Sequence, residues 1–273
     1  MRPYKMKFDL HTHHDRCGHA EGKIEQYIQS ALKQGLKAIG ISDHSPFFGM
    51  EEDQPLPGIA MAKSEFPHYI KEVLELKKKY EGQIDVLLGV ESDFFPEYAE
   101  VYRQVYSQYP LDYIIGSVHY VEGITIFNRK RWDQLDEAGK IRLKDKYHDL
   151  IVQSARSGMF DILGHIDAMK GRYPEFSEIP SRNLEKAIKA IGECDMTIEI
   201  NTSGSTKDVG GWYPSDHILE LALHSGVKVT MGSDAHIPGR VADEFEFVTR
   251  RLKEIGFHEW VYFKERKRIS VPL

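Results

Sequence analysis

The chain is 273 residues long, with 36 basic and 42 acidic residues and a formal net charge of −6. That length suits one domain able to bury most of its apolar surface without disulfide staples, and the acidic balance argues against general affinity for nucleic acid. No apolar run is long enough to span a bilayer and none resembles a signal peptide, so the sequence predicts a cytoplasmic protein without a membrane partner, its two cysteines, Cys17 and Cys194, being reduced thiols.

The predicted elements begin with a short apolar strand, Met6–Leu10, which runs into His11-Thr12-His13-His14-Asp15-Arg16-Cys17-Gly18-His19. Residues two apart in an extended chain point the same way, so His11 and His13 can reach one metal ion. Apolar residues at helical spacing predict a helix over Ile24–Leu36, with Gly35 suited to its C-terminal cap. The buried-strand run Ala38–Ile41 ends in Ser42-Asp43-His44. Residues 45–62, rich in proline and glycine, predict a long irregular loop, a lid or substrate wall with Phe47, Phe48 and Met50 as apolar contacts. A helix over Lys63–Tyr80 carries a solvated charged face, and a strand over Ile84–Val90 is closed by Glu91.

A helix over Pro96–Tyr106 and a strand over Tyr113–Val118, ending in His119, come next. Residues 120–135 form a second long connection with Asn128-Arg129-Lys130-Arg131-Trp132, then a long helix covers Asp136–Ser157. The strand Phe160–Leu163 ends in Gly164-His165-Ile166-Asp167, followed by a loop with Lys170 and Arg172. The next helix runs from Pro180 to Cys194, with Ser181 as its N-cap. The strand Met196–Ile200 leads into the polar turn Asn201-Thr202-Ser203-Gly204, and a helix then runs from Pro214 to Gly226. The strand Val227–Met231 ends in Gly232-Ser233-Asp234-Ala235-His236. A final helix covers Val241–Ile255, and after a short run, Trp260–Phe263, the basic tail Lys264–Arg268 is read as surface, with Ile269 and Val271 tucked back.

Strand and helix thus alternate seven times through 1–273, with no linker to mark a second domain. The alternation predicts an α/β fold of parallel strands with crossover helices. In a parallel barrel all C-terminal strand ends open on one face, where such folds carry their sites. His11, His13, His19, His44, Glu91, His119, His165, Asp234 and His236 would converge there. Nine ligands exceed one ion's needs, so two or three divalent transition metal ions (Zn, Fe or Mn) are implied, with Glu91 the natural bridge. Clustered cations polarise a phosphoryl oxygen and activate water, which is hydrolytic chemistry.

The set HTH, ISDH, GVE, GSVH, GHID, NTSG and GSDAH resembles the PHP family (polymerase and histidinol phosphatase), most closely its histidinol-phosphatase branch. The resemblance covers nearly the whole chain and implies a distorted seven-stranded (β/α)7 barrel, TIM-barrel-like, with a trinuclear site. It implies His11, His13, Glu91 and Asp234 on one ion, Glu91, His119 and His165 on a second, and His19, His44 and His236 on a third. It also implies a small phosphorylated substrate, L-histidinol phosphate, hydrolysed in histidine biosynthesis. Glu91, Asp234, His236 and Arg240 are the catalytic candidates. Arg240, Lys207, Arg129, Arg172 and Arg16 are candidates to grip phosphate, Arg240 first, and Glu21, Asp43 or Asp167 could meet the substrate's ammonium or imidazole. After the NTSG turn the chain reads Ser205-Thr206-Lys207, where relatives often carry an arginine. Other readings are a phosphatase or phosphodiesterase for nucleotides or other small esters, an amidohydrolase, for which no strand-end lysine is present, and a non-catalytic metal-binding domain.

Overall fold

The computed structural model describes residues 6–273. Its strands, in chain order, are β1 (Phe8–Asp9), β2 (Ala38–Ile41), β3 (Asp85–Asp93), β4 (Tyr113–Ser117), β5 (Tyr120–Val121), β6 (Ile124–Thr125), β7 (Ile162–Leu163), β8 (Thr197–Asn201), β9 (Lys228–Gly232), β10 (Glu259–Lys264) and β11 (Lys267–Pro272). Seven of them form one parallel sheet in the order β1-β2-β3-β4-β7-β8-β9. The sheet closes on itself: the Leu10 amide donates to the Met231 carbonyl at 3.0 Å, and Thr12 bridges Ala235 in parallel register. The expected seven-stranded barrel is therefore present.

Helices fill the crossovers: α1 (Ile24–Lys33), α2 (Phe66–Lys79), α3 (Ala99–Tyr106), α4 (Arg129–Asp133), α5 (Glu137–Arg156), α6 (Leu184–Glu193) and α7 (Asp216–His224), with α8 (Phe245–Ile255) after β9. Each long helix turns an apolar stripe to the sheet, as Ile24, Tyr27, Ile28 and Ala31 of α1 show. Gly35 ends α1 with φ of 75°, a conformation that frees Leu36 to donate to the Ala31 carbonyl at 3.0 Å. Inside the barrel Tyr113 is fully buried, its hydroxyl donating to the Leu10 carbonyl at 2.6 Å. A Cβ on Gly40 would lie 1.9 Å from that hydroxyl, so only glycine admits the ring. Among the described residues no helix is long and apolar enough to cross a membrane.

Several elements differ from the sequence-based expectation. β3 runs on to Asp93, so Glu91 lies inside the strand, paired in register with Ile115 of β4. The connection after His119 holds the β5–β6 hairpin and α4. Ser181 does not cap α6, whose N-cap is Asn183; its hydroxyl instead donates to Asp145 at 2.8 Å and accepts from His148 at 2.7 Å. α8 begins at Phe245, because Ala242 and Glu244 take left-handed backbone. The basic tail forms the β10–β11 hairpin, whose Trp260 ring packs 4.9 Å from Phe8 and 4.9 Å from Phe245. The 45–62 loop turns its aromatics inward: Phe48 packs on Phe66 and Tyr102, Phe47 on Phe95, while Met50 is exposed. It is a packed excursion, and neither phenylalanine lines the cavity described next.

Candidate active site

The strand ends bring all nine sequence-predicted ligand residues to one face. Glu91, almost fully buried, stands at the centre. Its Oε2 lies 3.4 Å from His11 Nε2, 3.6 Å from His13 Nε2 and 2.9 Å from His44 Nδ1. Its Oε1 lies 2.9 Å from His165 Nε2, 3.5 Å from His119 Nε2 and 2.7 Å from the Ser117 hydroxyl. The two oxygens of one carboxylate thus look at two separate sets of imidazoles. Asp234 Oδ1 completes the first set, 3.0 Å from His13 Nε2 and 3.7 Å from His11 Nε2. His119 and His165 approach each other at 3.3 Å, and His236 and His19 at 3.0 Å.

These spacings fit metal ligation. Ligands at zinc-like bond lengths in a tetrahedron stand about 3.3–3.5 Å apart. The Nε2 atoms of His11 and His13 are buried and find no hydrogen-bond partner, which is costly unless a cation takes their lone pairs. The other ring nitrogens are occupied: His11 Nδ1 by Glu199 at 2.6 Å, His13 Nδ1 by Asp43 at 3.1 Å, His119 Nδ1 by Asp93 at 3.0 Å, and His236 Nδ1 by the Asp234 carbonyl at 2.9 Å. Such contacts fix ring orientation and tautomer, so that Nε2 faces inward. Two of these residues sit on left-handed backbone, His165 with φ of 21° and Asp234 with φ of 51°.

The electrostatics agree with that chemistry. Burial pushes His13 down, but the Asp234 and Asp43 carboxylates beside it outweigh that and lift it to about 9. Burial acts likewise on His119, and Asp93 and Glu91 lift it to about 9. Burial and the neighbouring imidazoles of His44 and His13 hold His19 at about 4; burial and His13 hold His236 at about 3. Burial would raise Glu91, yet His44, His11 and His119 keep it well below the carboxylate range. The centre therefore attracts positive charge, as protons or as metal ions displacing them.

A cavity of about 410 Å³ opens above this centre, with His19, His44, Glu91, His165, Asp234 and His236 in its floor and Phe127, Arg172, Lys207 and Tyr213 in its walls. The basic candidates divide here. Arg172 and Lys207 line the cavity, and neither makes an ion pair among the described residues. Arg240 is turned to the Asp243 carboxylate and to the Ser205 hydroxyl at 3.3 Å, and does not line it. Arg16 pairs with Glu72 at 2.8 Å and Glu65 at 3.3 Å. Arg129 is half exposed, 3.6 Å from Glu175 and 5.7 Å from the Tyr173 ring centroid. The acidic candidates are likewise engaged. Asp43 is fully buried beneath His13 and His14, and Asp167 holds Lys170 at 2.7 Å and the Ser215 amide at 2.9 Å. Glu21 is exposed and lies outside the cavity wall.

Sequence reasoning passed over Glu199 and Asp93, which orient His11 and His119, and over Asn201 and Ser203, whose side chains donate to Asp234 Oδ2 at 3.3 and 2.9 Å. A signal existed for Glu199: a carboxylate inside an otherwise apolar strand is almost never buried without a partner. Gly232 is small for the same reason, since its Cβ would fall 1.9 Å from Glu199 Oε1.

The PHP domain model matches residues 9–203. A probable histidinol-phosphatase of Deinococcus radiodurans is 32% identical over 259 residues, covering 95% of this chain and 97% of that protein. Histidinol-phosphatase of Bacillus subtilis is 29% identical over 266 residues, covering 90% and 99%. Among solved structures, histidinol phosphate phosphatase of Lactococcus lactis, complexed with Zn, L-histidinol and phosphate, superposes with a TM-score of 0.79 at 20% identity, covering 96% of this chain and 98% of that one.

Proposed function

The chain belongs to the PHP domain family, and on that premise we propose that it is a metal-dependent phosphomonoesterase that hydrolyses L-histidinol phosphate to L-histidinol and phosphate, a step of histidine biosynthesis. One observation carries the reading: a single carboxylate, Glu91, presents its two oxygens to two sets of imidazoles beneath a cavity with two unpaired cations in its walls. We assign His11, His13, Glu91 and Asp234 to one ion, Glu91, His119 and His165 to a second, and His19, His44 and His236 to a third, zinc being the first candidate. Divalent ions so held polarise a phosphoryl oxygen and make water nucleophilic at neutral pH.

The rest is the work of side chains. Glu199, Asp43 and Asp93 hold the imidazoles in the ligating orientation. Arg172 and Lys207, rather than Arg240, grip the phosphoryl oxygens, the guanidinium through a forked pair of hydrogen bonds and the ammonium as a point charge. Phe127, whose ring lies 5.7 Å from that of His119, gives the substrate's imidazole a flat apolar wall and keeps bulk water from the ester. Asp234 and His236 face the cavity and complete the ring on its open side. The whole of 1–273 acts as one domain, since Asp234 and His236 lie beyond the family-matched residues yet belong to the same ring. Its reduced thiols accord with a cytoplasmic setting.

The test is a kinetic screen of metal-reconstituted protein against L-histidinol phosphate, nucleoside monophosphates, other small monoesters and phosphodiesters. The reading expects kcat/KM for L-histidinol phosphate to exceed every other ester by at least about 10²-fold, the discrimination available to a site built around one substrate's polar groups. A nucleotide or a diester as the preferred substrate would refute it.

A further inference from the structure

Arg172 and Lys207 stand on different loops, one after β7 and one after β8, so something must set the gap between them. The contacts point to Tyr213. Its backbone is tied to the end of β8, donating to the Asn201 carbonyl at 2.9 Å and accepting from the Asn201 amide at 2.7 Å. Its side chain is 3% exposed and reaches across to both loops. A Cβ on Gly171, the residue before Arg172, would lie 2.0 Å from the Tyr213 hydroxyl oxygen. A Cβ on Gly204, three residues before Lys207, would lie 2.1 Å from the Gly211 carbonyl oxygen and 3.1 Å from the same ring. Lys170 Nζ sits 5.5 Å from the ring centroid, and Asp167 ties the first loop to the Ser215 amide at 2.9 Å, two residues past Tyr213. The tyrosine is thus wedged between two glycine segments: its hydroxyl excludes a side chain at Gly171, and its ring, together with the Gly211 carbonyl, crowds Gly204.

We infer that Tyr213 is a positioning residue for phosphate recognition: wedged between Gly171 and Gly204, it fixes the separation of Arg172 and Lys207 so that both reach one phosphoryl group. This rests on the phosphatase reading above. The wedge sets geometry without donating charge, so its displacement loosens phosphate binding; its ring also stands 6.2 Å from that of His165, which is why metal content is read alongside. The three atoms nearest to a Cβ on Gly171 all belong to Tyr213, which makes that glycine the cleaner handle. Its φ is not in the left-handed region, so an alanine there is opposed by the tyrosine rather than by its own backbone.

The experiment is a double-mutant cycle on metal-reconstituted protein, reading inorganic phosphate affinity by calorimetry, metal content by elemental analysis and folding by thermal melting. Gly171→Ala should weaken phosphate binding by about tenfold, a coupling typical of residues in direct contact, at unchanged metal content. In the Tyr213→Phe background the colliding oxygen is gone, and the same Gly171→Ala change should cost less than about threefold. That rescue is the signature of the contact, because general destabilisation by Gly171→Ala would persist in either background. Should wild type bind phosphate while Gly171→Ala binds it equally well, or weakens it equally in both backgrounds, the positioning role is overturned and the phosphatase reading stands. Should wild type neither bind phosphate nor hydrolyse any monoester, both are overturned.

Discussion

The imidazoles on the barrel floor and the basic side chains around its mouth are held in opposite ways. Each floor ring except His19 grows from a strand end or the turn next to it, and four have their outward nitrogen engaged by a buried or partly buried partner. The basic residues ride on loops, and three of the five candidates spend their charge on nearby carboxylates, Arg240 on Asp243, Arg16 on Glu72, Arg129 on Glu175. Of the five, Arg172 and Lys207 face the cavity with no such partner among the described residues. Position on a strand end fixes where a side chain points; position on a loop fixes only that it is near.

Substitution in the floor should therefore be severe and substitution around the mouth graded. The largest effect belongs to Glu91→Gln, expected to lower kcat/KM by at least about 10²-fold, since a neutral amide is a poor bridge and two Lewis acids are disturbed at once. Near-normal turnover at full metal occupancy would remove the bridging role. Glu199→Gln probes the floor one layer out, where loss of the carboxylate that orients His11 should weaken metal affinity about 10- to 100-fold, measured by competition with a chelator. An unchanged affinity would mean that His11 keeps its orientation without Glu199.

At the mouth the effects should be smaller and should separate the basic residues. Arg172→Ala should cost roughly 2–3 kcal/mol in kcat/KM, with Lys207→Ala somewhat less, as for charged partners removed from a desolvated site. Arg240→Ala, whose partner is the Asp243 carboxylate, should change kcat/KM by less than about threefold, the range of exposed ion pairs. The reverse ranking would place the grip on the loop after β9. Farthest from the chemistry, Arg266 of the terminal hairpin holds Asp161 at 2.6 Å and the Met159 carbonyl at 2.9 Å. Arg266→Ala should lower unfolding stability by about 1–2 kcal/mol in a denaturant melt and leave kcat unaltered.

The same contrast explains what the sequence could convey. Barrel order and the floor residues were legible because a run such as Ala38–Ile41 followed by His44, or Lys228–Gly232 followed by Asp234 and His236, carries its own address, an apolar strand and then a histidine or carboxylate at its end. The bounds were less legible. β3 outruns its apolar stretch because pairing with β4 continues through Glu91 to Asp93. The terminal hairpin looked like a charged tail because alternate residues of β11 face solvent while Ile269 and Val271 pack inward. The phosphate candidates were read from spacing along the chain, which cannot tell Arg240, three residues from its carboxylate, from Arg172, which has none among the described residues. Tyr213 carries no catalytic signature at all; its place follows from its contacts with Gly171 and Gly204.

The central claim is that one carboxylate joins more than one ion at the mouth of this barrel, and metal stoichiometry tests it most directly. Protein stripped with chelator, reconstituted with zinc and freed of excess ion should carry more than one equivalent per chain by elemental analysis, with Glu91→Gln carrying fewer. A reproducible value of one or less in the wild type, at full activity toward L-histidinol phosphate, would contradict the account.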